Sequence, residues 1–173
     1  MLVCAALALP ASSSAAVSCE DANLMSSRAK LAQIRAATLC LINDERTSRG
    51  LAPLTSSRPL REAAQRYSRL MVRERFFGHV SPRGSTLTSR VRRQTAYLRG
   101  ARSWALGENI AWGSGTLGSP ARIVTAWMGS PDHRANILKP GFRNIGIGIA
   151  DGAPRPTRGL DAATYTTDFG RKS

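Results

Sequence analysis

Histidine is nearly missing from this chain: 173 residues hold two, His79 and His133. Lysine is almost as rare, three residues against 22 arginines, a skew that a GC-rich genome produces as readily as selection for guanidinium chemistry. No apolar stretch approaches the roughly 20 residues that a bilayer-spanning helix needs, so no transmembrane segment is expected. No Ser-His-Asp order is evident, and Ser130 near His133 lacks the setting of a nucleophile elbow. None of the three cysteines supports a thiolate nucleophile. The sequence has no internal repeat, no second domain, and no DNA-reading or RNA-binding aromatic motif, which argues against specific nucleic-acid recognition.

What is present suits one globular domain. The length buries an ordinary core without staples, and 42% apolar with 21% charged residues is a normal folded composition. The net charge of +14 is unusual. It implies either attraction to anionic partners, such as cell-wall polymers or lipid head groups, or a well-solvated surface. The arginines are scattered along the sequence, which favours the solvated surface. Oligomeric state leaves no signal.

The N-terminus reads as an export signal over residues 1–18, hence a secreted, extracellular protein. Leu2 to Pro10 is a short apolar run, and the small residues after it offer cleavage after Ala16 or Ser18. No Lys or Arg precedes the run, which points to a truncated or misassigned start. A lipid anchor on Cys19 is a weaker alternative, because Ala16 stands where Leu is usual. With Cys4 inside the signal, Cys19 and Cys40 remain as an even pair. In an oxidising compartment they form either a disulfide tethering the N-terminal segment (19–39, including the start of the first helix) or two free thiols.

Apolar residues at helical spacing predict a helix from about Ala29 to Ser48, stopped by Gly50. A second helix begins near Ser57, tolerates Pro59 in its first turn and ends at Phe76-Phe77-Gly78. It carries Leu60, Ala63, Ala64, Tyr67, Leu70 and Met71 on one side and arginines on the other. A short helix covers Ser85 to Gln94. Trp104 to Trp112 reads as extended, with Leu106, Glu108, Ile110 and Trp112 on one face; a carboxylate among such neighbours is either paired or functional. Ser119-Pro120 and Ser130-Pro131 are two helix starts in succession, divided by Gly129. Asn144 to Ala150 alternates Ile with Gly, a strand whose bare face admits close packing. After a Pro- and Gly-containing loop, Ala163 to Phe169 is the last strand. Helices followed by strands interleaved with a helix predict an α+β fold with a mostly antiparallel sheet.

Chemistry concentrates in three stretches, Phe77-Gly-His-Val-Ser-Pro82, Gly107-Glu-Asn-Ile-Ala-Trp-Gly113 and Trp127-Met-Gly-Ser-Pro-Asp-His-Arg-Ala-Asn-Ile-Leu138. Two imidazoles and a carboxylate are the material of a metal or acid/base site. His79 sits where a helix gives way to a loop. His133 falls in the first turn of a short helix, where the dipole favours neutral imidazole, the form that binds metal. Trp112 and Trp127 read as core, and Arg134 as an ion-pair partner of Asp132 or Asp151.

These stretches, with Leu41-Ile-Asn-Asp-Glu-Arg46, Asn144-Ile-Gly-Ile-Gly148 and Thr167-Asp-Phe169, resemble the CAP superfamily (cysteine-rich secretory proteins, antigen 5, pathogenesis-related 1). They are most similar to its bacterial SCP-like extracellular branch, with the domain over 40–170. The resemblance implies an α-β-α sandwich and a cleft where His79, Glu108 and His133 converge, with Ser130, Asn109 and Arg134 as neighbours. It implies that His79 and His133 bind a divalent metal such as Zn2+. Many relatives carry a second acid where this chain has Ser130; Glu45 is a remote substitute and reads as structural. Two imidazoles bind zinc weakly, so a labile ion is expected. The favoured function is an extracellular binding module for lipid or cell-wall ligands. The alternative is a metal-assisted hydrolase, a peptidase or wall-active enzyme, with Glu108 as catalytic general base.

Overall fold

Apolar side chains spaced three and four apart give the first helix its buried stripe of Ile34, Ala37, Thr38 and Ile42. This helix, α1, spans Leu31–Thr47 in a computed structural model that describes residues 19–24 and 31–173. The expected export signal over 1–18 and the helix start at Ala29 lie outside the described residues. Cys19 and Cys40 form a disulfide, which pins the segment before α1 to the helix.

The remaining elements are β1 (Thr55–Ser56), α2 (Arg58–Arg73), α3 (Leu87–Gln94), β2 (Trp104–Ser114), α4 (Pro120–Gly129), α5 (Pro131–Ile137), β3 (Asn144–Asp151) and β4 (Ala162–Lys172). Pro59 occupies the first turn of α2, as expected. Thr86 and Ser89 close a reciprocal capping box on α3. Ser119 and Ser130 stand at the N-caps of α4 and α5, yet neither side chain caps the helix backbone. The two-residue β1 is too short to carry a periodic signal that would predict it.

The four strands lie in the order β1-β3-β4-β2. β1 pairs parallel with β3, and the other two pairings are antiparallel, so the sheet is mostly antiparallel as expected. Alternation sorts the strand residues onto two faces. Ile145, Ile147, Ile149, Tyr165 and Phe169 form the main core with Ile34 and Ile42 of α1, Ile123 and Trp127 of α4, and Ile137 of α5. On the opposite face, Leu60 and Ala63 of α2 meet Val91 of α3, while Tyr67 and Met71 meet Ile110 of β2. The result is the α-β-α sandwich.

The bare face of β3 receives α2. A Cβ on Gly146 would lie 2.1 Å from backbone atoms of Leu60 and Arg61, and one on Gly148 would lie 2.2 Å from Ala64 and Gln65. Helix and strand therefore touch backbone to backbone. Arg46 is fully buried at the end of α1. Its guanidinium donates to the carbonyls of Ala52 (2.9 Å), Ile137 (2.6 Å) and Lys139 (3.1 Å), tying α1 to the segment after α5. Trp127 is core, but Trp112 is only half-buried, because it lies near the end of β2 beyond the cover of α2.

Candidate functional site

β2 is an edge strand, so the outward carbonyls of alternate residues need partners from elsewhere. Asn136 of α5 donates to the Glu108 carbonyl (3.2 Å), and the Trp127 indole of α4 donates to the Ile110 carbonyl (3.1 Å). Asn136 also donates to the Asn109 Oδ1 (2.9 Å), and the Asn109 amide donates to the His133 carbonyl (3.0 Å). These bonds fasten the helix bearing His133 to the strand bearing Glu108. The site wraps this edge, with His79 and Glu108 on the α2–α3 side and His133 on the α4–α5 side.

The Glu108 side chain is 3% exposed, and both of its oxygens are engaged. His79 Nδ1 lies 2.9 Å from Oε1. Because an ionised carboxylate only accepts, Nδ1 carries the proton and the lone pair of the neutral ring is on Nε2. The other oxygen, Oε2, accepts from Arg90 Nη2 in a buried ion pair. Arg90 also donates to the carbonyls of His79 (3.2 Å) and Ser85 (2.8 Å), and its guanidinium lies 3.4 Å from the centre of the Tyr67 ring. The Tyr67 hydroxyl donates to the Gly78 carbonyl (2.6 Å), and burial pushes its pKa up to about 12. The loop that presents His79 is thus stitched down on both sides.

Asp168 of β4 is the direct cross-strand neighbour of Glu108 and is fully buried. Burial first, then the adjacent Glu108 charge, raise its pKa well above the carboxylate range, against a smaller lowering by Arg90. In the protonated form it can donate to Glu108, supplying the partner that its oxygens otherwise lack among the described residues. One guanidinium, one carboxylate and one neutral carboxylic acid make a pocket floor without excess charge.

Ser130 uses its hydroxyl on His133 Nδ1, at 2.9 Å, in place of a cap. Desolvation by burial, and then the neighbouring His79, lower the His133 pKa, while Asp132 opposes them. The ring is therefore neutral at pH 7. Among the described residues neither imidazole Nε2 has a hydrogen-bond partner. His79, at 54% exposure, faces solvent far more than Glu108.

The structure thus brings His79 onto Glu108 and His133 onto Ser130, with Asn109 as the brace between them. Arg134 is exposed and forms no ion pair among the described residues, contrary to the expected pairing with Asp132 or Asp151. Glu45 pairs on the surface with Arg49. Arg90 and Asp168 join the site without having been singled out by sequence reasoning. Arg90 does carry a signal, since Leu87, Arg90, Val91 and Gln94 fall at helical spacing, placing one arginine in an inward stripe. Asp168 has no such signal, because β4 is buried on both faces.

The donor set limits what the site can hold. Among the described residues no group of three or more His, Cys, Asp or Glu side chains is placed to hold a metal. A three-ligand catalytic zinc therefore does not fit the described residues.

Residues 39–166 match the cysteine-rich secretory protein family, CAP. An uncharacterized protein, YkwD, from Bacillus subtilis (strain 168) is 38% identical over 112 residues; the match covers 64% of this chain and 40% of YkwD. The fold is similar to that of an extracellular protein containing a SCP domain from Bacillus anthracis, with a TM-score of 0.63 at 24% identity, covering 85% of this chain and 45% of that one. It is also similar to an outer surface protein from Borrelia burgdorferi, with a TM-score of 0.59 at 21% identity, covering 78% of this chain and 90% of that one. This chain therefore spans less than half the length of YkwD. With an α-β-α fold around the His79, Glu108 and His133 edge, and a family match over most of its length, the chain belongs to the CAP family.

Proposed function

We propose that the protein is a secreted binding module whose β2-edge cleft takes a divalent ion loosely, through the two imidazoles, and engages lipid or cell-wall ligands. The observation that carries this reading is the engagement of both Glu108 oxygens, by His79 and by Arg90. A carboxylate so held orients an imidazole well and serves poorly as a base toward water. His79 and His133 would hold the ion through Nε2. A bound divalent ion supplies a Lewis-acidic point for a carbonyl or anionic group of the ligand. The extracellular and outer-surface relatives, together with the Cys19–Cys40 disulfide, support an oxidising location outside the cytoplasm.

The test is zinc titration of the purified protein by calorimetry, with His79→Ala, His133→Ala and Glu108→Gln variants assayed in parallel for peptide, ester and glycan hydrolysis. The expected result is weak, reversible binding that either histidine variant removes and Glu108→Gln reduces about 10- to 100-fold, without hydrolysis. Hydrolysis by the native protein that Glu108→Gln abolishes would instead establish the metal-assisted hydrolase. Zinc binding that survives both histidine variants would sink the cleft.

A further inference from the structure

Four of the arginines that look scattered in the sequence, Arg35, Arg61, Arg66 and Arg69, meet near the opposite edge of the sheet. There α1 and α2 flank β3, which β1 covers only at Asn144 and Ile145. A hollow of about 380 Å³ is lined by Arg35 of α1 and by Arg61, Glu62, Gln65, Arg66 and Arg69 of α2. A second, of about 440 Å³, shares Arg66 and Arg69 and runs on past Arg73 and Arg83 to Tyr67, Ser85 and Arg90, so it leads from this row toward the scaffold of the His79 loop. From Arg61 to Arg73 the row runs about 18 Å at 1.5 Å per residue.

Few acids serve this row. Glu62 is shared by Arg58 and Arg66, and Glu74 by Arg73 and Arg83. Asp151 lines an adjoining hollow with Arg69 and Arg73. Arg35, Arg61 and Arg69 have no hydrogen-bond or ion-pair partner among the described residues. Their mutual repulsion, after burial, lowers the Arg35 pKa. Gln65 keeps the floor rigid, since its amide bonds both the Ile149 carbonyl (2.6 Å) and the Ile149 N–H (3.2 Å) at the strand edge.

We infer that this α1–α2 face is a second binding site, distinct from the two imidazoles, for a flexible, base-free polyol phosphate polymer whose successive phosphates are held by Arg35, Arg61 and Arg69. Guanidinium groups match phosphate oxygens in shape and charge. A row of concave, linked hollows suits a chain better than a single anion. A membrane surface fits less well, because among the described residues no exposed large apolar side chain lines these hollows to enter a bilayer. A nucleic acid fits less well too, for among the described residues this face offers no exposed aromatic ring on which bases stack.

The probe is a synthetic glycerol phosphate oligomer, titrated by fluorescence anisotropy at two salt concentrations. Phosphatidylglycerol vesicles and a single-stranded DNA of equal charge are the comparators. The Arg35→Gln/Arg61→Gln/Arg69→Gln variant should lose at least about tenfold in oligomer affinity and show a shallower salt dependence. An equally discharged control, Arg99→Gln/Arg102→Gln/Arg122→Gln, should lose less than about threefold. Equal losses in the two triples, or no binding by the native chain, would overturn the site. Binding to DNA or vesicles as tight as to the oligomer would overturn its assignment to a base-free polyol phosphate polymer. A thermal melt checks the fold, and the exposed Arg69→Gln single variant carries the comparison if the triple melts early.

Discussion

At the β2 edge of the sheet, Arg90, Glu108 and Asp168 are all nearly inaccessible to water, and each charge is neutralised by a contact or by a retained proton. At the β3 edge, Arg61 and Arg69 stand in solvent and form no ion pair among the described residues. The difference follows from desolvation. A buried ion must be paired because the interior cannot solvate it, whereas an exposed guanidinium keeps its water and needs no partner. Pairing at the first edge therefore reports architecture that fixes a site, and lack of pairing at the second reports capacity for a ligand.

Removing the buried cation should break the comparison most severely. Arg90→Met leaves Glu108 and Asp168 facing each other without their counter-charge, and should cost about 3–5 kcal/mol of stability in a urea melt. It should also release the His79 loop, which a faster amide exchange around Gly78 and His79 would register. Next in size is the disulfide tether on α1. Cys40→Ser opens a 21-residue separation and should cost about 3 kcal/mol. Zinc affinity at the β2 edge should not change, since α1 does not build that edge.

The buried acid sharpens the comparison through pH. Asp168 keeps its proton in the folded state, while the unfolded chain releases it above the ordinary value of 3.8. Folded protein then binds more protons than unfolded protein, so stability falls as pH rises from that value toward the raised one. Asp168→Asn removes this loss. Its stability relative to the native chain should be lowest near pH 3.8 and grow toward neutrality, as paired urea melts across pH would show. The smallest effect belongs to the exposed edge: Arg61→Ala and Arg69→Ala should each stay within about 0.5 kcal/mol.

How much of this is legible in the sequence differs between the two edges. The Ile-Gly alternation of β3 announces a close helix approach, and the Cβ contacts at Gly146 and Gly148 bear it out. Glu108 announces itself as a carboxylate in an apolar strand face, and it is indeed paired. Its partner is fainter: helical spacing puts Arg90 in line with Leu87 and Val91, but the neighbouring Arg92 and Arg93 make the stretch read as solvated. The arginine row is hidden for a different reason. Arg35 lies on a different helix from Arg61 and Arg69, and no sequence period joins residues that meet only across the edge of a sheet.

The most direct test of the cleft is the state of its two imidazoles. With only two histidines, a long-range proton–nitrogen spectrum of labelled protein resolves each ring nitrogen, with and without zinc. The account predicts Nδ1–H on His79, His133 titrating below the ordinary value of 6.5, and both Nε2 signals shifting together as zinc is added. An unprotonated Nδ1 on His79, or zinc that moves one ring and leaves the other unchanged, would contradict it.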